Sequence, residues 1–147
     1  MITGFNHTSF TVADMDKSVK FWTEMLGYEA ASVSPREGKW KEDVTGVAGA
    51  SLLVAHLFGH GHHIEFIQYL GGAAEGKPTT PSRVGAAHVA LETDDIEATW
   101  KALIAAGAMP QGKIALVTTG SVAGVKAGYI RDPNGILIEL VQLAPKK

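Results

Sequence analysis

The sequence predicts an α+β fold made of two tandem βαβββ modules whose strands form a curved mixed sheet around a cleft. Three observations carry that expectation. First, a short apolar strand, an aspartate cap, a helix with a Trp in its stripe and a terminal glycine occur in that order twice, at His7 to Gly27 and again at His88 to Gly107. Second, the pentad Ile64-Glu65-Phe66-Ile67-Gln68 returns, class for class, as Ile138-Glu139-Leu140-Val141-Gln142. Third, the copies are separated by Gly71 to Arg83, a stretch of small residues, Gly, Pro, Ser and Thr with no periodicity, which is the composition of a linker. A chain of 147 residues suits one domain, 1–147, here with a module at 1–76, a module at 84–147 and a linker at 71–83.

The elements follow in order. Phe5 to Val12 reads as a strand with His7 on the face of Phe5, Ser9 and Thr11. Asp14 or Asp16 caps a helix whose stripe is Met15, Val19, Trp22 and Leu26 and which ends at Gly27. Tyr28 to Ser34 is a second strand, and Pro35 to Asp43 a polar surface loop. Val44 to Ala50 is either a short helix or irregular. Ser51 to Phe58 and His62 to Leu70 form a hairpin around Gly59-His60-Gly61.

In the second module, Ala86 to Glu92 is a strand with His88 between the small residues Ala86 and Ala90. Asp94 or Asp95 caps a helix with Ile96, Trp100, Leu103 and Ile104 on one stripe, ending at Gly107. Strands are expected near Met109 to Val117 and Ala127 to Ile130, separated by Thr118 to Lys126, a small-residue segment suited to a lid or pocket rim. The last hairpin turns at Asp132-Pro133-Asn134-Gly135. There Asp132 caps its own turn, Pro133 presets φ, and Asn134-Gly135 tolerate positive φ.

Composition narrows the function. Net charge is −2 with scattered Lys and Arg, which leaves no basic stripe for nucleic acid and no polybasic segment for a membrane. No run approaches the roughly 18 apolar residues of a membrane span, so a cytoplasmic setting and a small-molecule partner are expected. Zero Cys excludes disulfides, thiolate metal ligands and a Cys nucleophile.

Alternation puts Glu139 on one face with Leu137 and Val141, and Glu65 occupies the same place in its pentad. A carboxylate among apolar neighbours must protonate, pair with a base or bind a cation. With His7 and His88 on the first strand of each half, His7, Glu65, His88 and Glu139 form a candidate set for one divalent metal in the cleft. Imidazole and carboxylate donors suit Zn, Ni, Co, Mn or Fe(II). The bland alternatives are satisfied core histidines, glutamates on a wet sheet face, or a closed structural zinc.

These motifs resemble the vicinal-oxygen-chelate superfamily, which includes glyoxalase I, methylmalonyl-CoA epimerase, extradiol dioxygenases and bleomycin- and fosfomycin-resistance proteins. The carriers are His7 before Asp14 to Gly27, Ile64-Glu65-Phe66, His88 before Asp94-Asp95-Ile96, and Asp132-Pro133-Asn134-Gly135 leading into Ile138-Glu139-Leu140. The resemblance implies that His7, Glu65, His88 and Glu139 are metal ligands and that Glu65 or Glu139 abstracts a proton beside a metal-chelated carbonyl. The implied activity is that of a lyase or isomerase working through an enediolate-like intermediate, in a homodimer. The alternatives are Fe(II) extradiol-type ring cleavage and sequestration of a small drug or toxin without catalysis.

Outside this set, His56, His60, His62 and His63 form a conspicuous cluster. His60 and His62 are expected in solvent, and His63 on the face of Glu65. Trp40 is the one aromatic suspected of substrate contact. Arg36, Lys126 and Arg131 are candidate anchors for a carboxylate or phosphate, although isolated surface charges usually do nothing specific.

Overall fold

The computed structural model describes residues 1–70 and 77–145, so residues 71–76 of the expected linker lie outside the described residues. The chain divides into two compact units, Met1–Lys77 and Pro78–Lys147.

The first unit runs β1 (Thr8–Thr11), α1 (Met15–Met25), β2 (Glu29–Arg36), α2 (Trp40–Thr45), β3 (Leu52–Gly59) and β4 (His62–Tyr69). Its sheet has the order β1-β4-β3-β2, with β1 parallel to β4 and the other pairs antiparallel. The second unit runs β5 (Val89–Glu92), α3 (Ile96–Ala105), β6 (Met109–Pro110), β7 (Ala115–Leu116), β8 (Lys126–Arg131) and β9 (Leu137–Gln142). Its order is β5-β9-β8-β6, with β7 also on β8 and β5 parallel to β9. Each unit therefore shows the expected mixed α+β pattern, and in each the Glu-bearing last strand lies beside the first. No helix of the described residues is long and apolar enough to cross a membrane.

Of the two aspartate choices, α1 is capped by the first residue, Asp14, and α3 by the second, Asp95. Asp14 and Asp95 sit in extended backbone, and their carboxylates accept from Lys17 N and Ala98 N at 3.0 and 2.9 Å. Periodicity does not reveal a second anchor, which comes from the pentads. Met15 N–H donates to Gln68 Oε1 at 2.8 Å, and Ile96 N–H donates to Gln142 Oε1 at 3.0 Å. The glutamine of each pentad thus satisfies one of the orphan donors at a helix start. Gln68→Ala and Gln142→Ala are each expected to lower stability by about 1 kcal/mol, read from urea unfolding midpoints.

The core of the first unit forms where α1 meets the sheet. Trp22 is fully buried, with its ring edge-on to Tyr28 and Phe66 at 5.1 and 5.3 Å. Ser18 and Phe21 are buried there, whereas Val19, expected on the stripe, is only half-buried. In the second unit Ile96 and Leu103 are buried with Ile130, Ile138 and Leu140, but Ile104 is exposed. At about 100° per residue, Leu103 returns to within about 20° of Ile96, while Ile104 lies about 80° round the helix. Trp100 is partly buried against Gly128, where an added Cβ would come within 2.9 Å of the ring.

Three expected segments differ. The polar loop at Pro35 to Asp43 is instead the end of β2 followed by α2, which stops at Gly46 in the left-handed region (φ 69°). Trp40 opens that helix and lies over Gly38, where an added Cβ would meet its ring at 2.9 Å. The single strand expected at Met109 to Val117 is two short pieces. Between them Gln111 N–H and Gly112 N–H both donate to Tyr129 O, so one carbonyl serves two donors and the ladder is interrupted. The expected lid at Thr118 to Lys126 is a hairpin end, closed by Val117 N to Val125 O and Gly124 N to Val117 O, both 2.8 Å.

Candidate metal-binding residues and pocket

The duplicated pattern becomes a duplicated register. In the parallel pairing Ser9 lies opposite Glu65 and Ala90 opposite Glu139. His7 and His88 stand two residues earlier, hence on the same face as those small partners and just ahead of β1 and β5 rather than within them. Ser and Ala are too small to separate imidazole from carboxylate. His7 Nε2 lies 3.3 Å from Glu65 Oε1, and His88 Nε2 lies 3.1 Å from Glu139 Oε2. Each unit thus presents one His–Glu pair. The described residues contain no group of three or more His, Asp or Glu already gathered as a metal-holding set.

The donor chemistry of the pairs fits a cation. His7 Nδ1 is 2.6 Å from Asn6 Oδ1, an acceptor, so Nδ1 donates there and Nε2 is the ring atom turned to the Glu65 carboxylate. A second nitrogen held by an amide oxygen is the arrangement that orients metal-ligating imidazoles. His88 is held by its ring contact with Tyr129, 5.1 Å between centroids.

On the other side of each glutamate the antiparallel register supplies a residue the sequence reading did not connect to it. His56 is opposite Glu65, and Tyr129 is opposite Glu139. His56 Nδ1 lies 4.0 Å from Glu65 Oε2 and 3.0 Å from His63 Nε2, while its Nε2 lies 2.7 Å from Arg36 Nη2. The cluster therefore splits in two. His56 and His63 belong to the Glu65 face. His60 is exposed, as expected, and also caps helix α1, with Nε2 at 2.8 Å from Leu26 O and its ring edge-on to Tyr28. His62 is exposed, as expected.

Burial holds the His56 imidazole below its ordinary value; Glu65 opposes that, while Arg36, His63 and His7 add to it. Such a group resists protonation in the folded chain, which then binds fewer protons than the unfolded chain between the folded value and about 6.5. Its contribution to stability is therefore intact above about pH 6.5 and is lost as pH falls toward the folded value. An NMR titration of the metal-free protein is expected to show His56 protonating below its ordinary range.

In the second unit a pocket of about 500 Å³ opens beside Glu139, lined also by Tyr129, Gln111, Lys113, Gly128 and Pro81. The interrupted stretch between β6 and β7 forms its rim, in the role expected of the later segment. The wall is held from behind by the last hairpin. Asp132, fully buried, accepts through Oδ1 from Asn134 N and Ile136 N at 2.9 and 2.8 Å. Gly135 takes the positive φ (91°), and Asn134 does not need it. Arg131 is no surface anchor. It is buried, with Nε donating to Gln111 Oε1, Nη1 to Gly135 O and Nη2 to Thr79 O, at 2.7, 2.7 and 2.8 Å. Lys126 pairs with Glu97 at 2.6 Å.

The glyoxalase/bleomycin resistance protein/dioxygenase superfamily model matches residues 4–140, and the chain belongs to that superfamily. A 2-epi-5-epi-valiolone epimerase from an Actinomyces species is 31% identical over 144 residues, covering 94% of this chain and 78% of that protein. A probable lactoylglutathione lyase from Vibrio parahaemolyticus is 31% identical over 141 residues, covering 92% of this chain and 88% of the other. Among solved structures, a glyoxalase family protein from Bacillus cereus has the same fold, with TM-score 0.82 at 24% identity over 99% of this chain and 97% of that one.

Proposed function

We propose that the chain is a divalent-metal-dependent lyase or isomerase that moves a proton beside the carbonyl of a small oxygenated substrate. His7, Glu65, His88 and Glu139 are the metal ligands. The observation that carries the reading is the repeated His–Glu pair in the same register, with one imidazole nitrogen turned to the carboxylate in each unit. The names of the relatives, an epimerase and a lactoylglutathione lyase, support the same reaction type. When bound, the metal polarises a substrate carbonyl as a Lewis acid and so acidifies the neighbouring C–H.

The chain's own residues do the rest. Glu65 or Glu139 accepts the proton, and Glu139 is favoured because it lines the pocket. Tyr129, Gln111 and Lys113 line the open pocket that receives the substrate. A homodimer and a cytoplasmic setting belong to the same proposal.

Metal analysis of protein purified without chelators tests it, with His88→Ala alongside. About one metal per chain in wild type, lost in the variant, is expected. Turnover of lactoylglutathione or 2-epi-5-epi-valiolone would then place the chain among lyases or epimerases. Oxygen consumption with a catechol would transfer it to the ring-cleaving branch. Wild type that stays empty with Zn, Ni, Co, Mn and Fe(II) would defeat the enzymatic reading and leave a binding pocket.

A further inference from the structure

Beside Glu65, the sheet carries a hydrogen-bond chain that the metal reading does not use. Arg36 Nη2 lies 2.7 Å from His56 Nε2, and His56 Nδ1 lies 3.0 Å from His63 Nε2. A guanidinium can only donate, so His56 Nε2 accepts and the proton of the neutral ring sits on Nδ1. That N–H donates to His63 Nε2, which places the His63 proton on its own Nδ1. The direction of the whole chain is thus set by the one member that has no choice.

The ends are held as well. Arg36 Nη1 donates to Ser34 Oγ at 2.9 Å. The His63 ring stacks on Phe58, 4.3 Å between centroids and 18° between planes, and lies 5.4 Å from the ring of His7. His63 Nδ1 forms no hydrogen bond among the described residues, although its ring is fixed on two sides.

We propose that Arg36 and His56 are positioning residues that fix the ring of His63 through its Nε2, with its Nδ1–H offered to a substrate oxygen beside Glu65. His63 would then help to determine specificity, favouring substrates with a hydroxyl or carbonyl oxygen in reach of that donor. The inference rests on the reading of His7 and Glu65 as part of the reaction site, but its first test does not.

Histidine-ring ¹⁵N NMR of chelator-treated protein at about pH 8 reads the tautomers directly. Wild type is expected to show Nδ1–H at both His56 and His63. In Arg36→Met both should move toward Nε2–H, the form an unconstrained imidazole prefers. Nε2–H at His63 in wild type, or tautomers indifferent to Arg36→Met, would overturn the proposal.

The donor role is read on the zinc-loaded protein with acetohydroxamate as probe. His63→Phe is expected to weaken binding about tenfold, and His63→Asn, whose amide N–H takes the place of Nδ1–H, to recover to within about threefold of wild type. Equal affinity in wild type and His63→Phe would overturn that role. If wild type binds neither zinc nor the probe, the metal reading fails, and the tautomer pattern alone upholds or overturns the relay.

Discussion

Glu139→Gln is expected to keep its metal within about tenfold of wild type and to lose turnover by about 10²–10⁴-fold, the usual worth of a positioned general base. Glu139→Ala should instead lose both, with metal affinity falling by more than the roughly 10–100-fold typical of residues that only support a ligand. The two substitutions separate the two duties proposed for one side chain. An amide oxygen still reaches a cation, but it accepts no proton at neutral pH. Glu65→Gln is expected to retain more turnover. Glu65 does not line the pocket, and its carboxylate lies between His7 and His56, with a side chain 15% exposed against 25% for Glu139. Metal competition and steady-state kinetics on the accepted substrate measure the pattern. Equal losses in the two Gln variants would remove the assignment of Glu139 as base.

Asp132→Ala is expected to destabilise the second unit by about 4 kcal/mol, because two backbone N–H groups each lose their acceptor in a fully buried site with little water to replace it. Against a total stability of about 5–15 kcal/mol, that is enough to threaten folding at 37 °C. Asp132→Asn keeps an acceptor oxygen at the same place and should cost much less. Urea unfolding by fluorescence and by circular dichroism checks both. A loss in Asp132→Ala below about 1 kcal/mol would mean that water or a rearranged turn satisfies Asn134 N and Ile136 N.

Much of this architecture is legible in the chain, because local rules and the fold agree. Asp14, Gly27, Asp95 and Gly107 mark helix ends by chemistry that operates within a few residues. Alternation gives the faces of Glu65 and Glu139 within their own strands, because both pentads are strands throughout. Failures arise where the deciding partner is distant in sequence. Gln68 and Gln142 look like ordinary strand residues until the helix start is brought to them. Arg131 reads as an isolated surface charge, yet its three acceptors include Thr79, from the far end of the expected linker. His56 and Tyr129 are linked to the glutamates only by antiparallel register, which the length of the intervening turns sets. The α2 helix is missed because its sequence, Trp40 to Thr45, is short and polar and buries no residue.

The glutamine anchors bear on how such a chain can evolve. Within each pentad the acid and the amide are three positions apart, so they leave the strand on opposite sides, one toward the His and the other toward the helix start. Copying one such segment therefore copies the acid together with the brace at the helix start. After such a duplication the faces can drift independently. In this chain one acid has His56 beside it, held in turn by Arg36, and the other has Tyr129 and a pocket, while the brace is the same in both.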